Sequence, residues 1–502
     1  MGLGQLTIII LLLAAAFTLF VVFGLKKSKH WLTTFIQTAV GFLFIFSGWV
    51  KVADPMGTGF KLEQYFAEFQ VTFEGTWFSF IAPLFPFFSS YALAFSIIVI
   101  IIEILIGIML VIGMWRKIAA WAFFLLVLFF TFLTGFTFLT GYVPSGVNFF
   151  QFSQWGPYSA TNMRVTDCGC FGDFIIIEPR VSFIKDLILL VPAIYLLFFS
   201  AKMHQFFSKK VRGTILVAST IILMIYAFSN FAWNLPHIDF RAFKEGTDIR
   251  TELEREIDAA SNVQVVAWRL KNEATGQVVE LSTEVYFAEL GAGNYLPPDW
   301  NVVKQIQSEP EIPLTKISDF SINDLEGNDV TYEILEYEEH SIMIVAYNLP
   351  GKTVREAYTI TDTIYGIDTV TMLNLAGEVD SIIVIEQITD IIEVERHRTT
   401  YEWDSRFTRH FEDKINDFIK KARQQDIRVV MVAGEGDAGR IRAFQQDMDL
   451  EDVQFYFADD ILLKTMIRSS PGVIWWKDGH ILKKWHKLRL PDFETAAKEI
   501  IN

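Results

Sequence analysis

Six apolar runs, each about as long as a bilayer crossing, lie within the first 233 residues of this 502-residue chain. A helical span takes roughly 20 mainly apolar residues, because the hydrocarbon core is about 30 Å thick. The runs cover residues 6–24, 35–52, 92–114, 118–139, 183–199 and 214–233. No Lys or Arg precedes Lys26, and Ala14-Ala15-Ala16 lies inside the first run, so that run is expected to be a retained helix rather than a cleaved leader. From about residue 239 the composition turns acidic and reads as a water-exposed globular region. Most of the net charge of −15 lies there, which argues against nucleic acid as a partner and for a solvated surface.

Short basic loops orient such a bundle. Lys26, Lys27 and Lys29 follow the first run, Arg116 and Lys117 separate the third and fourth, and Lys202, Lys209, Lys210 and Arg212 separate the fifth and sixth. They alternate, so all three belong on the cytoplasmic face. Loops 53–91 and 140–182 and everything after 233 then face outward, which in a bacterium with two membranes is the periplasm. The expected location is the bacterial inner membrane, with the lipid bilayer as first partner. Loop 53–91 carries Pro83 and Pro86 in an apolar stretch, which is expected to lie in the interface.

Glu103 sits inside the third run between Ile102 and Ile104. A charge there costs a few kcal/mol even on lenient scales. Two readings stand: a proton or quinone contact, or a neutral acid hydrogen-bonded to a neighbouring helix. Lys51, Asp54, Lys185 and Asp186 fall at the outer ends of spans and read as interfacial anchors.

The chain has two cysteines, in Thr166-Asp167-Cys168-Gly169-Cys170-Phe171-Gly172-Asp173. Two are too few for a disulfide scaffold or a complete zinc or iron–sulfur site. The eight histidines include no HExxH or His-x-His cluster, and no metal site is expected. The expected orientation puts the pair just outside the membrane, where disulfides persist. Gly169 permits the tight backbone of an i,i+2 disulfide, a small ring of the labile kind. A redox-active dithiol, capture of a soft metal such as Cu(I) between two thiolates, and an inert turn all remain open.

These residues resemble a known group. Asp167-Cys168-Gly169-Cys170-Phe171-Gly172-Asp173 with Phe183, Lys185 and Asp186 is similar to the motif of the DoxX/MauE membrane proteins. So are Phe46-Ser47-Gly48-Trp49-Val50-Lys51 with Asp54-Pro55, and Glu103 with Gly107. The resemblance spans roughly residues 32–202. It implies a four-helix core made of spans two to five, with spans one (within residues 1–31) and six (within 203–238) as additions. It also implies disulfide formation or electron delivery toward a periplasmic protein client, with a quinone as the one cofactor suggested. Cys168 and Cys170 are the catalytic candidates carried over.

In the remainder, residues 239–313 read as a β-rich connector with a hairpin turning at Ala274-Thr275-Gly276-Gln277. Segment 291–313, with Pro297-Pro298, reads as loop, and 320–331 as strand, turn and strand. Strands at 341–347, 427–432, 453–457 and 481–485 alternate with helices at 406–424 and 438–448, the pattern of an α/β sheet. The order resembles a thioredoxin-like domain of the TlpA or peroxiredoxin kind over 314–502, with an insertion at about 351–405. That resemblance implies a cis Ser470-Pro471 step and makes Ser470 and Pro471 a candidate partner-binding loop. The fold's redox position reads Asn348-Leu349-Pro350-Gly351-Lys352-Thr353, without cysteine. The domain then either presents a client to Cys168 and Cys170, or the whole chain is a non-catalytic envelope scaffold with a docking module. Gly434-Glu435-Gly436-Asp437-Ala438-Gly439 is a poor phosphate loop because its acids repel phosphate.

Overall fold

The computed structural model describes residues 2–501 apart from 166–168, 309, 374, 378 and 435, and leaves aside the side chains of 368, 380–383, 385, 387 and 389. Among the described residues, six helices are long and apolar enough to cross a membrane: Leu3–Gly24, Trp31–Ala53, Ala92–Ile112, Arg116–Thr140, Pro179–Lys202 and Lys209–Trp233. Each coincides with one of the expected runs. By α-helical bounds the bundle comprises α1 (Leu3–Leu19), α2 (Trp31–Ala53), α3 (Pro55–Phe73), α4 (Leu84–Ser90), α5 (Ala92–Ile112), α6 (Arg116–Thr140), α7 (Pro179–Phe199) and α8 (Lys209–Phe228).

Helix α3 corrects the reading of 53–91 as loop. The Asp54 carboxylate accepts a hydrogen bond from Gly57 N–H at 3.2 Å, and Pro55 occupies the first helical turn. An acidic N-cap followed by proline is a start signal that satisfies orphan donors and presets φ. The helix was missed because its polar residues break up any apolar run.

Glycines set the closest approach in the bundle. A Cβ at Gly107 on α5 would stand 2.8 Å from the Gly41 carbonyl oxygen on α2. Gly48 on α2 lies against Ile104 in the same way. Small residues let membrane helices pack backbone to backbone. Gly41, Gly48 and Lys51 share one face of α2, while Glu103 and Gly107 share one face of α5.

Two of the basic loops meet at one end of the bundle. Arg116 donates to the carbonyls of Ala201 and Met203 at 2.8 and 3.1 Å, and Arg212 donates to Gly113 O at 2.8 Å.

The chain divides into two compact units. The first is Met1–Asp319 with Lys464–Ile474 and Gly479–Leu490, and the second is Phe320–Leu463 with Trp475–Asp478 and Pro491–Asn502. In the first unit, β1 (Val265–Asn272) pairs antiparallel with β2 (Val278–Ser282) and with β3 (Trp300–Gln307). The hairpin is as expected. Strand β3 corrects the reading of 291–313 as loop: the cis Pro297-Pro298 step ends just before the strand begins. Segment 320–331 forms only isolated bridges, at Asn323–Asp329 and Asn323–Phe457, rather than two strands.

The remaining strands are β4 (His340–Ala346), β5 (Gly351–Leu373), β6 (Val379–Trp403), β7 (Arg428–Ala433), β8 (Gln454–Phe457), β9 (Gly472–Lys477) and β10 (His480–His486). Five of them form a sheet of order β10-β9-β4-β7-β8. Strands β4, β7 and β8 run parallel in turn. All but the first residue of β4 and of β7 are buried, as expected when helices cover both faces. Strands β5 and β6 make a separate two-stranded antiparallel ribbon from the base pair Gly351–Trp403 to Leu373–Val379.

Candidate functional site

The close α2–α5 contact brings Lys51 and Glu103 together. Lys51 Nζ donates to Glu103 Oε2 at 2.7 Å, and the two residues are only 4% and 1% exposed. Lys51 Nζ also lies 4.6 Å from the Phe130 ring centroid, a cation–π contact from α6. A charge inside a bundle is held by pairing and by facing protein rather than lipid. Glu103 is therefore an ion-paired acid, and neither sequence reading of it included that partner.

A second pair, with its acid buried and its base partly exposed, stands beside the first. Lys185 Nζ contacts Asp186 Oδ1, and Thr134 donates to Asp186 Oδ2 at 3.0 Å. Asp186 is 2% exposed. The reading of Lys51 and Asp186 as interfacial anchors is thus corrected: Lys51 is buried against Glu103, and Asp186 is buried against Thr134 and the partly exposed Lys185.

The cysteine loop caps this cluster. Cys168 lies outside the described residues. Cys170 is half-buried, its carbonyl accepts from Ser47 Oγ at 3.0 Å, and its sulfur receives Ser182 Oγ at 3.9 Å. Gly169 and Gly172 have φ of +58° and +51°, left-handed values that a side chain would oppose. Gly172 N–H donates to Gly169 O at 3.1 Å, closing the turn. Phe171 is buried among Leu6, Ile10, Ile175 and Ile177 and so anchors the loop on α1.

Two small cavities lie under the loop. One, of about 20 Å³, is lined among others by Ser47, Lys51, Glu103, Cys170, Lys185 and Asp186. The other, of about 40 Å³, is lined among others by Lys51, Thr58, Lys61, Tyr65, Thr134 and Cys170. Volumes of this order hold one to a few waters. Thr58 Oγ1 is buried without a hydrogen-bond partner among the described residues and lines the larger one, a polar atom that a water would satisfy. An apolar groove of about 450 Å³ shares Leu62, Val99 and Phe129 with that larger cavity. Phe66, Phe95 and Ile102 also line the groove, so its walls suit a flat apolar ring or an isoprenoid chain.

Asp54 is the other corrected anchor. Arg468 Nε stands 3.1 and 2.9 Å from its two carboxylate oxygens, and Nη2 is 2.8 Å from Oδ2. Burial pushes the Asp54 carboxyl up, but the Arg468 and Arg241 guanidinium charges outweigh it and hold the acid below its ordinary value. Arg468 Nη2 also reaches Asp173 Oδ2 of the cysteine loop at 3.4 Å. No local pattern flags this contact, because Arg468 is 414 residues from Asp54.

The Ser470–Pro471 peptide bond is cis. Pro471 is buried, and the Ser470 carbonyl accepts from Lys487 Nζ at 2.9 Å. Among the described residues, Arg468 of this segment reaches Asp173 of the cysteine loop. Behind it, buried Lys484 donates to Asp239 at 2.6 Å and to Phe243 O at 2.6 Å. Burial and the nearby Arg241 push Lys484 down to about 8, against the pull of Asp239.

Residues 29–146 match the family described as Methylamine utilisation protein MauE, a family of membrane proteins. The matched stretch runs from just before α2 to just past α6, so it contains Lys51, Asp54 and Glu103 and stops short of the cysteine loop. No curated protein and no solved structure matches the chain.

Proposed function

We propose that this chain is an inner-membrane thiol–disulfide redox component that exchanges electrons with a periplasmic protein client through Cys168 and Cys170. The observation that carries the reading is the position of Cys170 over cavities lined by Lys51, Glu103, Lys185 and Asp186. Buried charge of this kind is costly in a bilayer and concentrates at proton and substrate pathways. The match of residues 29–146 to the membrane family described as Methylamine utilisation protein MauE accords with it.

In this reading one thiolate of the pair attacks a client disulfide and forms a mixed disulfide. The second cysteine resolves it, so the client leaves with two thiols and the pair is left as a disulfide; the reverse sequence oxidises the client instead. Each interconversion of pair and dithiol moves two electrons and two protons. The Lys51–Glu103 pair and the waters its cavities can hold would carry protons to and from Cys170. A quinone, if bound, would supply a two-electron, two-proton sink, with Leu62, Val99 and Phe129 of the apolar groove as its wall. The cis Ser470-Pro471 step and the sheet order also support a thioredoxin-like reading of the C-terminal region. In that fold β4 would lead into the redox motif, and here it leads into the β5–β6 ribbon.

The alternative, a non-catalytic envelope scaffold, is separated by one experiment. Cys168→Ser/Cys170→Ser is compared with a gene deletion for complementation, and the wild-type cysteines are trapped with a thiol reagent directly from cells. The redox reading expects the double variant to behave like the deletion, and the trapped protein to carry a mixed population of disulfide and dithiol. Full complementation by the double variant would overturn it.

A further inference from the structure

The chain around Cys170 holds its sulfur toward the bundle. Ser47 of α2 fixes the Cys170 carbonyl, and Ser182 of α7, itself fully buried, donates from Oγ to Cys170 Sγ at 3.9 Å. The next residue, Phe171, is 2% exposed and packs on α1. Cys170 also lines both cavities beneath the loop. Thiol–disulfide exchange depends on access as well as on thiolate content. A sulfur turned to a buried hydroxyl is open to small molecules and closed to a folded protein.

The same surroundings favour negative charge on that sulfur. Lys51 of α2, Lys61 of α3 and Lys185 of α7 line the two cavities with Cys170, against the acids Glu103 of α5 and Asp186 of α7. Lys185 Nζ stands 5.9 Å from the ring centroid of Phe171, one residue along. Nearby cations and a hydroxyl donor both support a thiolate. Thr58 Oγ1, buried without a hydrogen-bond partner among the described residues, lines the larger cavity, so a water held there has a second polar contact besides the sulfur.

We propose that Cys170 is the inner sulfur of the pair, the one that leaves and resolves but never bonds to the client, and that Ser182 donates the hydrogen bond that receives its charge. This assignment rests on the redox reading above. When a client is oxidised, a client thiolate attacks the sulfur of Cys168. The bond between the two cysteines breaks, its electron pair goes to Cys170, and Ser182 donates to the new thiolate. A second client thiolate attacks the client sulfur of the mixed disulfide and expels Cys168. The client loses two electrons and two protons, and the pair gains both. When a client is reduced, the same steps run backward, with Cys170 attacking Cys168 to release the client. In both directions only Cys168 carries the mixed disulfide.

The test uses the full chain with one cysteine left at a time: Cys168→Ser keeps Cys170, and Cys170→Ser keeps Cys168. Each reduced variant is treated with methyl methanethiosulfonate, a small reagent, and with a polyethylene-glycol maleimide, a bulky one. Each is also run on non-reducing gels directly from cells. Both variants should react with the small reagent. The bulky one should label Cys168→Ser at least about tenfold more slowly than Cys170→Ser. Disulfide-linked adducts should accumulate on Cys170→Ser, which has no resolving sulfur, and not on Cys168→Ser. Adding Ser182→Ala to Cys168→Ser should slow the small reagent about threefold through the lost hydrogen bond, whereas looser packing alone would speed it. An unchanged or faster rate would remove Ser182 from the chemistry. Equal labelling by the bulky reagent, or adducts on Cys168→Ser, overturns the assignment and leaves the redox reading standing. No adduct on either variant, with both sulfurs open to the small reagent, overturns the redox reading and the assignment with it.

Discussion

Lys51 and Glu103 are each strongly disfavoured in a hydrocarbon interior, and 52 residues separate them in the chain. Their stability rests on each other. Lys51→Met leaves the carboxylate buried without its partner and should cost about 3–5 kcal/mol, while Lys51→Met with Glu103→Leu should recover most of that loss. Unfolding of the purified chain in detergent measures both, and equal losses for single and double variants would show that the two do not act as a pair. Asp54 gives the pH dependence. Its carboxyl sits below the ordinary value of 3.8 in the folded chain. Such a group stabilises the fold fully above its unfolded value, and that contribution is lost as pH falls through the lower folded value. Wild type should therefore lose more of its thermal stability than Asp54→Asn between about pH 4 and pH 2. Parallel pH profiles for the two would rule out the Asp54–Arg468 bond as a stabilising contact. At this scale the sequence was only half legible. Glu103 stood out because it interrupts an isoleucine run, whereas Arg468 looks like any surface base until the fold sets it on Asp54.

Helices α2 and α5 pack through Gly41, Gly48 and Gly107, and that contact places the ion pair. Gly107→Val would drive a branched side chain into the Gly41 carbonyl. It should destabilise the bundle by about 1–3 kcal/mol and spread Lys51 from Glu103, so the valine variant should also lose the coupling measured by the double-mutant cycle. Retained coupling would show that the pair forms without the close approach. The spans were legible because twenty apolar residues in a row have few alternatives in water or lipid. Helix α3 was not, since its start signal, Asp54-Pro55, precedes a segment whose polar residues conceal its 3.6-residue period. Strand β3 was hidden behind Pro297-Pro298, which punctuates the chain without ending the sheet. The β5–β6 ribbon was visible only as an insertion, although alternating threonine and β-branched residues run through much of β5.

Across the whole molecule, two lines of charge organisation coincide. The loops around Arg116 and Arg212 interlock at one end of the bundle. Asp54, Asp173 and Arg468 meet beside the cysteine loop. Six spans, the alternation of basic loops, the β1–β2 hairpin and the alternating strands and helices of the C-terminal region could all be read from the sequence. Each rests on a local period, on composition or on a turn signal within a few residues. The Lys51–Glu103 and Asp54–Arg468 pairs, the caging of Cys170 over small cavities, and the third strand of the β1 sheet were decided only by the tertiary structure. They join residues tens to hundreds of positions apart, and such pairings follow from which helix faces and chain segments pack together, which no local pattern records.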